Sequence, residues 1–154
     1  MIDKRVGSLA EAVAGIQDDA VILVGGFGSS GRPADLMEGL LDLGVKGLTI
    51  VANNATVGDD IVSELMRAGR IRKVVCSFPR GLKGRTIFDE LYASGKIELE
   101  LVPQGTLAER IRAGAAGIGG FFTRTPVGIP RPVINIGGRH QLASRTHAGY
   151  QYWC

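Results

Sequence analysis

The stretch formed by residues 18–33, DDAVILVGGFGSSGRP, constrains the fold more than any other part of the chain. The apolar residues 21–24 run directly into a turn with four glycines, and Pro33 stands where an amphipathic segment starts. This order predicts a buried strand, a tight glycine turn and a helix that begins after it. Because glycine has no Cβ, the backbone N–H groups of such a turn can approach an anionic ligand closely. The stretch therefore predicts a ligand-binding turn within an α/β unit.

Strand and helix patterns alternate along the chain after this unit. Further strands are predicted at residues 48–52, 73–77 and 97–102, and helices at 8–16, 33–43, 61–68, 86–94 and 106–113. The motifs Ser8 to Glu11 and Thr106 to Glu109 are capping boxes that predict the starts of two of these helices. The alternation predicts an α/β fold with a mostly parallel sheet and helices on both faces. Ligands of such sheets bind beyond the carboxyl ends of the strands.

Size and charge suggest one folded domain followed by a different kind of segment. The chain has 154 residues, of which 45% are hydrophobic, enough for one domain with a real core. Residues 1–109 hold 12 basic and all 15 acidic residues, whereas residues 110–154 hold six arginines and no acid. We expect an α/β domain over residues 1–125 and a basic tail over residues 126–154.

The sequence also indicates the cellular compartment in which the protein is expected. A membrane span needs roughly 18–20 apolar residues, and no apolar run in the chain approaches that length. The N-terminus has no apolar core of a signal peptide. Cys76 lies in an apolar run and is expected to be a buried thiol. We therefore expect a reduced, cytoplasmic protein that binds no membrane. Residues 131–154 contain three arginines, too few for strong electrostatic attraction, so nucleic-acid binding by the basic tail is not expected either.

A dinucleotide site is one interpretation of the glycine turn. Gly26, Gly28 and Gly31 spell G-x-G-x-x-G. A dinucleotide fold places an acidic residue at the end of the second strand to hold the ribose, whereas Asn53 and Asn54 stand there. The remaining interpretations are a loop that approaches an acyl thioester or the phosphates of coenzyme A, and a turn that binds no ligand.

Two other classes of site are disfavoured by spacing. Neither Ser29 nor Ser30 lies in a G-x-S-x-G elbow, and both histidines, His140 and His147, fall in the tail. The cysteines and histidines lack zinc-site spacing, so a metal site is not expected.

Carboxamides follow two predicted strands. Asn53 and Asn54 stand at the end of the second strand, where they either donate to a substrate carbonyl or carboxylate or form an Asx-type turn. Gln104 precedes a predicted helix and either donates to a developing oxyanion or completes a turn. Arg110 and Arg112 are expected on a solvated or subunit-facing helix surface.

Four separated blocks of the sequence belong together: residues 18–33, VANNA at 51–55, RKVVCSFPR at 72–80 and ELVPQGTLAERIRAG at 100–114. Together they resemble the alpha subunits of family I coenzyme A transferases. They occur in the order typical of the family, and the resemblance covers about residues 8–125. Within the family, the chain is most similar to the members that act on 3-oxoadipate, while acetoacetate and other 3-oxoacids stay open as acceptors.

The resemblance implies a particular reaction. Such enzymes move coenzyme A from succinyl-CoA to a 3-oxoacid by a ping-pong route, and a glutamate of the partner subunit forms the covalent intermediates. This chain would then be the alpha subunit, inactive without its partner subunit, with a coenzyme A thioester as substrate and no tightly bound cofactor or metal. A non-catalytic sensor of acyl-CoA or sugar phosphate with the same architecture is the alternative.

The resemblance also assigns roles to individual residues. Gln104 becomes the oxyanion donor, and Asn53 and Asn54 become substrate-binding residues. Coenzyme A would bind at the glycine loop (residues 25–31), which consists of Gly25, Gly26, Phe27, Gly28, Ser29, Ser30 and Gly31.

The chain departs from the family pattern at two places. Thr56 stands where the family usually has glycine, and residues 123–130, TRTPVGIP, replace a glycine-rich T-x-T-G-x-G-T segment. The resemblance ends there. We hypothesise that a frame shift near codons 124–131 replaced the native C-terminal part.

Overall fold

A computed structural model describes residues 5–79, 84–123, 145–147 and 150–153. The chain divides into two compact units, Met1–Leu99 and Glu100–Cys154. None of the helices in the described ranges is both long and apolar enough to cross a membrane. Most of the expected basic tail lies outside the described residues. The assignment of residues 1–125 and 126–154 to separate domains therefore stays a prediction.

A four-stranded sheet has three of its strands within the first unit, and its fourth strand runs across the boundary between Leu99 and Glu100. Its strands are β1 (Val21–Leu23), β2 (Leu48–Asn54), β3 (Ile71–Phe78) and β4 (Glu98–Leu101), in the order β1-β2-β3-β4. β1 runs parallel to β2, and β2 runs parallel to β3. The backbone N–H of Val24 also donates to the carbonyl of Val51 at 2.8 Å, so pairing continues past the end of β1 toward the glycine loop. The predicted α/β class with a mostly parallel sheet is confirmed.

The helices of the first unit begin at recognisable caps. They are α1 (Leu9–Val13), α2 (Ala34–Leu43), α3 (Ile61–Arg67) and α4 (Ile87–Ala93). Ser8, Asp60 and Thr86 are the N-caps of α1, α3 and α4, and each accepts a hydrogen bond from a backbone N–H three residues later. Pro33 occupies the N-cap position of α2, where its missing N–H is not needed. The cap of α1 confirms the Ser8 prediction, although the helix is shorter than expected.

One hydrophobic core joins these helices to the sheet. Ile50 of β2 is in register with Val74 of β3, and both side chains are buried. Buried residues from each of the four helices belong to the same core: Val13, Met37, Leu40, Val62, Leu65, Met66 and Phe88. Burial of this apolar surface stabilises the unit and fixes the strand ends that precede the functional loops.

The second unit contains α5 (Gln104–Ala115), β5 (Phe121–Thr123), β6 (Arg145–His147) and β7 (Tyr150–Trp153). β5, β7 and β6 form an antiparallel sheet in that order.

The start of α5 corrects a prediction. The Thr106–Glu109 capping box was expected to begin the helix, but the helix begins at Gln104, and Thr106 is buried inside it. Pro103 causes the earlier start because its fixed φ suits a residue at the edge of a helix. Glu109 instead pairs with Arg112 at 2.8 Å. Gln104 is therefore the first helical residue rather than part of a preceding turn.

Arg110 is a second correction. It was expected on a solvated or subunit-facing helix surface, but its Nη1 lies 2.6 Å from Oε1 of Glu100, and both side chains are largely buried. A buried charge requires a partner, and the salt bridge provides it. Arg112 is exposed, as expected.

Candidate functional site

The glycine loop is a tight hairpin that follows β1. The backbone N–H of Phe27 donates to the carbonyl of Ser30 at 2.9 Å, and the N–H of Ser30 donates back to the carbonyl of Phe27 at 3.1 Å. Gly28 at the tip has φ +61°, a conformation that residues with a Cβ rarely adopt. Phe27 as a whole residue is 78% exposed. The loop thus presents an aromatic ring and small side chains on a hydrogen-bonded backbone.

A side chain passes very close to this loop at Gly26. A Cβ at Gly26 would lie 2.9 Å from both Cγ of Arg32 and the carbonyl oxygen of Ser30. Gly26 also has φ +112°. At Gly28, by contrast, a Cβ would meet nothing within 4 Å. Gly26 therefore makes room for the arginine, whereas Gly28 leaves open space beside the tip of the loop.

The Arg32 side chain links three segments of the first unit. Its Nε donates to the carbonyl of Gly28 at 3.0 Å, and its Nη2 donates to the carbonyl of Asn54 at 3.0 Å. Its Nη1 pairs with Oδ2 of Asp60 at 2.8 Å. The side chain is 8% exposed. A planar guanidinium spreads five N–H donors over three nitrogens, a reach that the single nitrogen of a lysine ammonium cannot match.

Asp60 serves both this ion pair and the start of α3. Its Oδ1 accepts from the N–H of Ser63 at 3.0 Å, and its Oδ2 accepts from the N–H of Val57 at 3.3 Å as well as from Arg32. The side chain of Asp60 is 18% exposed. The carboxylate therefore couples the loop after β2 to the first turn of α3, where the helix dipole also favours negative charge.

The two carboxamides at the end of β2 bond to each other and to the glycine loop. Oδ1 of Asn54 accepts from the N–H of Gly28 at 3.3 Å and from Nδ2 of Asn53 at 3.0 Å. Oδ1 of Asn53 accepts from the hydroxyl of Ser77 at 3.1 Å. Both residues belong to β2, which runs two residues further than expected, so neither follows the strand in an Asx-type turn.

Two of the predicted groups of site residues lie together within the first unit. The glycine loop and the Asn53–Asn54 pair are in direct hydrogen-bond contact in the first unit. Gln104 lies in the second unit as an exposed residue of α5. The roles predicted for all these residues in binding and catalysis stay predictions.

Two residues at this site were missed from the sequence. Arg32 lies inside the glycine-rich stretch, and Asp60 lies beyond the end of the second predicted strand. One signal was readable, because Asp60 precedes Ser63 by three residues at the start of a helical pattern, the spacing of an N-cap. Their pairing could not be read, because it joins residues 28 positions apart.

Two further features of the described residues bear on thiol chemistry and on metal binding. Cys76 is fully buried, and burial raises the pKa of its thiol to about 12, so it is not a nucleophile near neutral pH. Among the residues that the structure describes, no group of three or more His, Cys, Asp or Glu side chains could hold a metal ion.

Comparison with known proteins identifies the family. Residues 6–148 match the family model described as coenzyme A transferase. The chain therefore belongs to the coenzyme A transferase family.

Individual enzyme subunits are similar to this chain over most of its length. The chain is 49% identical over 143 residues to one subunit of the 3-oxoadipate CoA-transferase of Acinetobacter baylyi, covering 90% of this chain and 62% of the relative. It is 54% identical over 128 residues to the like-named subunit from Pseudomonas putida, covering 83% and 55% respectively. It is 46% identical over 125 residues to one subunit of a probable succinyl-CoA:3-ketoacid coenzyme A transferase of Bacillus subtilis, covering 81% and 51%. The chain thus spans between half and two thirds of these relatives.

A solved structure shares the fold. An acyl-CoA transferase from E. coli O157:H7, crystallised as a thioester complex with CoA, superposes with a TM-score of 0.74 at 24% identity. The superposition covers 95% of this chain and 31% of that one.

Proposed function

We propose that this chain is the alpha subunit of a heteromeric coenzyme A transferase that moves coenzyme A from succinyl-CoA to a 3-oxoacid. The observation that carries the proposal is the similarity to subunits of two 3-oxoadipate CoA-transferases over more than four fifths of the chain. Those relatives are named as subunits, which supports a partner subunit for this chain too. The partner would supply the glutamate nucleophile. The chain would then be inactive by itself, and the reaction would require no tightly bound cofactor.

The glycine loop is the part of the first unit best suited to receive the thioester. Space beside Gly28 is open, and the exposed Phe27 ring offers an apolar surface to the pantetheine arm. Because Oδ1 of Asn54 already accepts two hydrogen bonds, we assign any substrate contact of this residue to Nδ2. Gln104 remains our proposed donor to the oxyanion that forms when the thioester carbonyl is attacked.

The acceptor we propose is 3-oxoadipate. The two relatives with that name are 49% and 54% identical to this chain, whereas the 3-ketoacid enzyme subunit from Bacillus subtilis is 46% identical. The margin is small, so acetoacetate belongs in any test of the acceptor. We place the reaction in the cytoplasm, in the breakdown of aromatic compounds if 3-oxoadipate is the acceptor and in ketone-body metabolism if acetoacetate is.

The test is co-expression of this chain with the partner subunit encoded beside it, followed by co-purification. The complex is then supplied with succinyl-CoA and with 3-oxoadipate or acetoacetate in turn, and formation of the new thioester is followed. We expect a complex that forms 3-oxoadipyl-CoA faster than acetoacetyl-CoA, and no transfer by either of the two proteins in isolation. Binding of acyl-CoA by this chain in isolation, without transfer in any combination, would favour the sensor alternative.

The C-terminal segment needs a separate test. We propose that residues 126–154, the expected basic tail that follows the α/β domain of residues 1–125 in the sequence, arose by a frame shift. Translation of the downstream DNA in the other two frames tests this, and we expect a family-like continuation in one of them. If neither frame encodes one, the frame-shift explanation is wrong.

A further inference from the structure

The buried guanidinium of Arg32 lies where the glycine loop, the end of β2 and the start of α3 meet. We propose that Arg32 is a positioning residue for the coenzyme A thioester: it holds the glycine loop in its binding conformation by tying Gly28 to Asn54 and Asp60. The functional half of this inference rests on the proposed transferase activity. The positioning half concerns only the first unit of this chain.

The geometry supports a role in positioning rather than in contact with substrate. The Arg32 side chain is 8% exposed, and its three hydrogen bonds reach backbone carbonyls on two segments and one carboxylate. A buried cation is costly unless it is paired and hydrogen-bonded, so these partners hold the side chain in one place. The carbonyl of Gly28 is fixed by Arg32 while the N–H of Gly28 is fixed by Asn54. The peptide groups on both sides of the loop tip are therefore restrained.

The close approach of the Arg32 side chain to Gly26 also supports a positioning role for Arg32. The aliphatic part of Arg32 crosses the loop so closely that a Cβ at Gly26 would lie 2.9 Å from its Cγ. The loop backbone thus packs directly on the stem of the arginine. Loss of the side chain would remove both this support and the hydrogen bonds.

Lysine is a poor replacement at this position. An ammonium group could keep the charge pair with Asp60, but it lacks the planar arrangement that reaches Gly28, Asn54 and Asp60 at once. Arg32→Lys should therefore behave much like Arg32→Met in the loop, which a role limited to charge would not produce.

The test compares the variants Arg32→Met, Arg32→Lys and Asp60→Asn with a control variant in which another arginine is replaced. Asp60→Asn keeps an N-cap side chain for α3 but removes the charge that holds Arg32, so it tests the inference even if Arg32→Met fails to fold. Arg67→Met is the control, because Arg67 pairs with Asp59 and Glu64 on the exposed side of α3 and its side chain is 41% exposed.

The first readout is amide hydrogen exchange in peptides that cover residues 26–31, measured on the complex with the partner subunit. We expect exchange at these amides to rise about tenfold or more in the Arg32 and Asp60 variants. Exchange in the Arg67 variant and in peptides from β3 should not change. Equal exchange in the Arg32, Asp60 and Arg67 variants would overturn the inference, whether or not the complex is an active transferase.

The second readout is steady-state kinetics with succinyl-CoA. A positioning role predicts that KM for the thioester rises about tenfold with a smaller change in kcat, because the loop must be ordered each time the thioester binds. A mobile loop with an unchanged KM would overturn the inference. If the wild-type complex transfers no coenzyme A, the proposed function fails, and the exchange measurement still decides whether Arg32 holds the loop.

Discussion

The backbone N–H of Gly28 donates to Oδ1 of Asn54 across 3.3 Å, which ties the tip of the glycine loop to the last residue of β2. Two elements that are 26 residues apart in sequence are joined by this bond. Asn54 is buried, and its Oδ1 also accepts a hydrogen bond from Nδ2 of Asn53. The loop conformation therefore depends on a strand-end side chain.

Replacement of Asn54 by alanine should destabilise the first unit. The change leaves the backbone N–H of Gly28 and the side-chain Nδ2 of Asn53 without their acceptor, at a cost of about 1–3 kcal/mol. Denaturant unfolding measures this loss. Asn54→Asp keeps an acceptor oxygen and serves as the comparison, with a smaller expected loss. Equal stability of wild type and the alanine variant would show that the bond does not hold the loop.

The two glycines of the loop should respond differently to a methyl group. Gly28→Ala meets open space and costs about 1 kcal/mol from its left-handed backbone alone. Gly26→Ala adds a contact of 2.9 Å with the carbonyl of Ser30 and should cost clearly more. Chemical denaturation of both variants tests the order. A larger loss at Gly28 would contradict the described path of the loop.

Cys76 should weaken folding at alkaline pH. Its pKa is raised from 9.0 to about 12 by burial, so above pH 9 the unfolded chain releases a proton that the folded chain retains. This contribution to stability is complete below pH 9 and is lost as pH rises toward 12. The free energy of unfolding is measured between about pH 8 and 10.5 in two proteins that both carry Cys154→Ser, one with Cys76 and one with Cys76→Ala. We expect it to fall less steeply with rising pH in the Cys76→Ala protein. Equal pH dependence of the unfolding free energy in the two proteins would show that folding does not raise the pKa of the Cys76 thiol.

Gln104 should matter for turnover and not for stability. It is exposed at the first position of α5, so Gln104→Ala should leave the melting temperature nearly unchanged. If its amide donates to the oxyanion, kcat should fall by about 10²-fold. Glu109→Gln on the same helix is the control, since Glu109 pairs with its neighbour Arg112 on the exposed side of the helix. An unchanged kcat for Gln104→Ala would remove the residue from the mechanism.

The sequence revealed the first unit well because its signals are local. The glycine turn after residues 21–24, the cap at Ser8 and the apolar runs each depend on neighbouring residues, and all four strands of the sheet lie at predicted places. Boundaries were less accurate, because β2 pairs with β3 up to Asn54 and Phe78, and this pairing carries the strand through the polar Asn53–Asn54 pair.

The features that the sequence did not reveal depend on contacts between distant segments. Glu100 of β4 is buried beside Arg110, which pairs with it from ten positions further along the sequence. The Thr106–Glu109 motif fits a capping box, but Pro103 starts the helix earlier. Arg32 is visible as a charge within a glycine-rich stretch, yet only the fold shows that it meets Asn54 and Asp60.

The most direct measurement is the rate of coenzyme A transfer from succinyl-CoA to 3-oxoadipate by the complex of this chain with its partner subunit, with Gly28→Val beside wild type. We predict that wild type forms 3-oxoadipyl-CoA, and that the valine complex assembles but transfers none, because its side chain fills the space beside the loop. Failure of the wild-type complex to transfer coenzyme A, or equal rates for both complexes, would contradict the assignment of the glycine loop to thioester binding in a transferase.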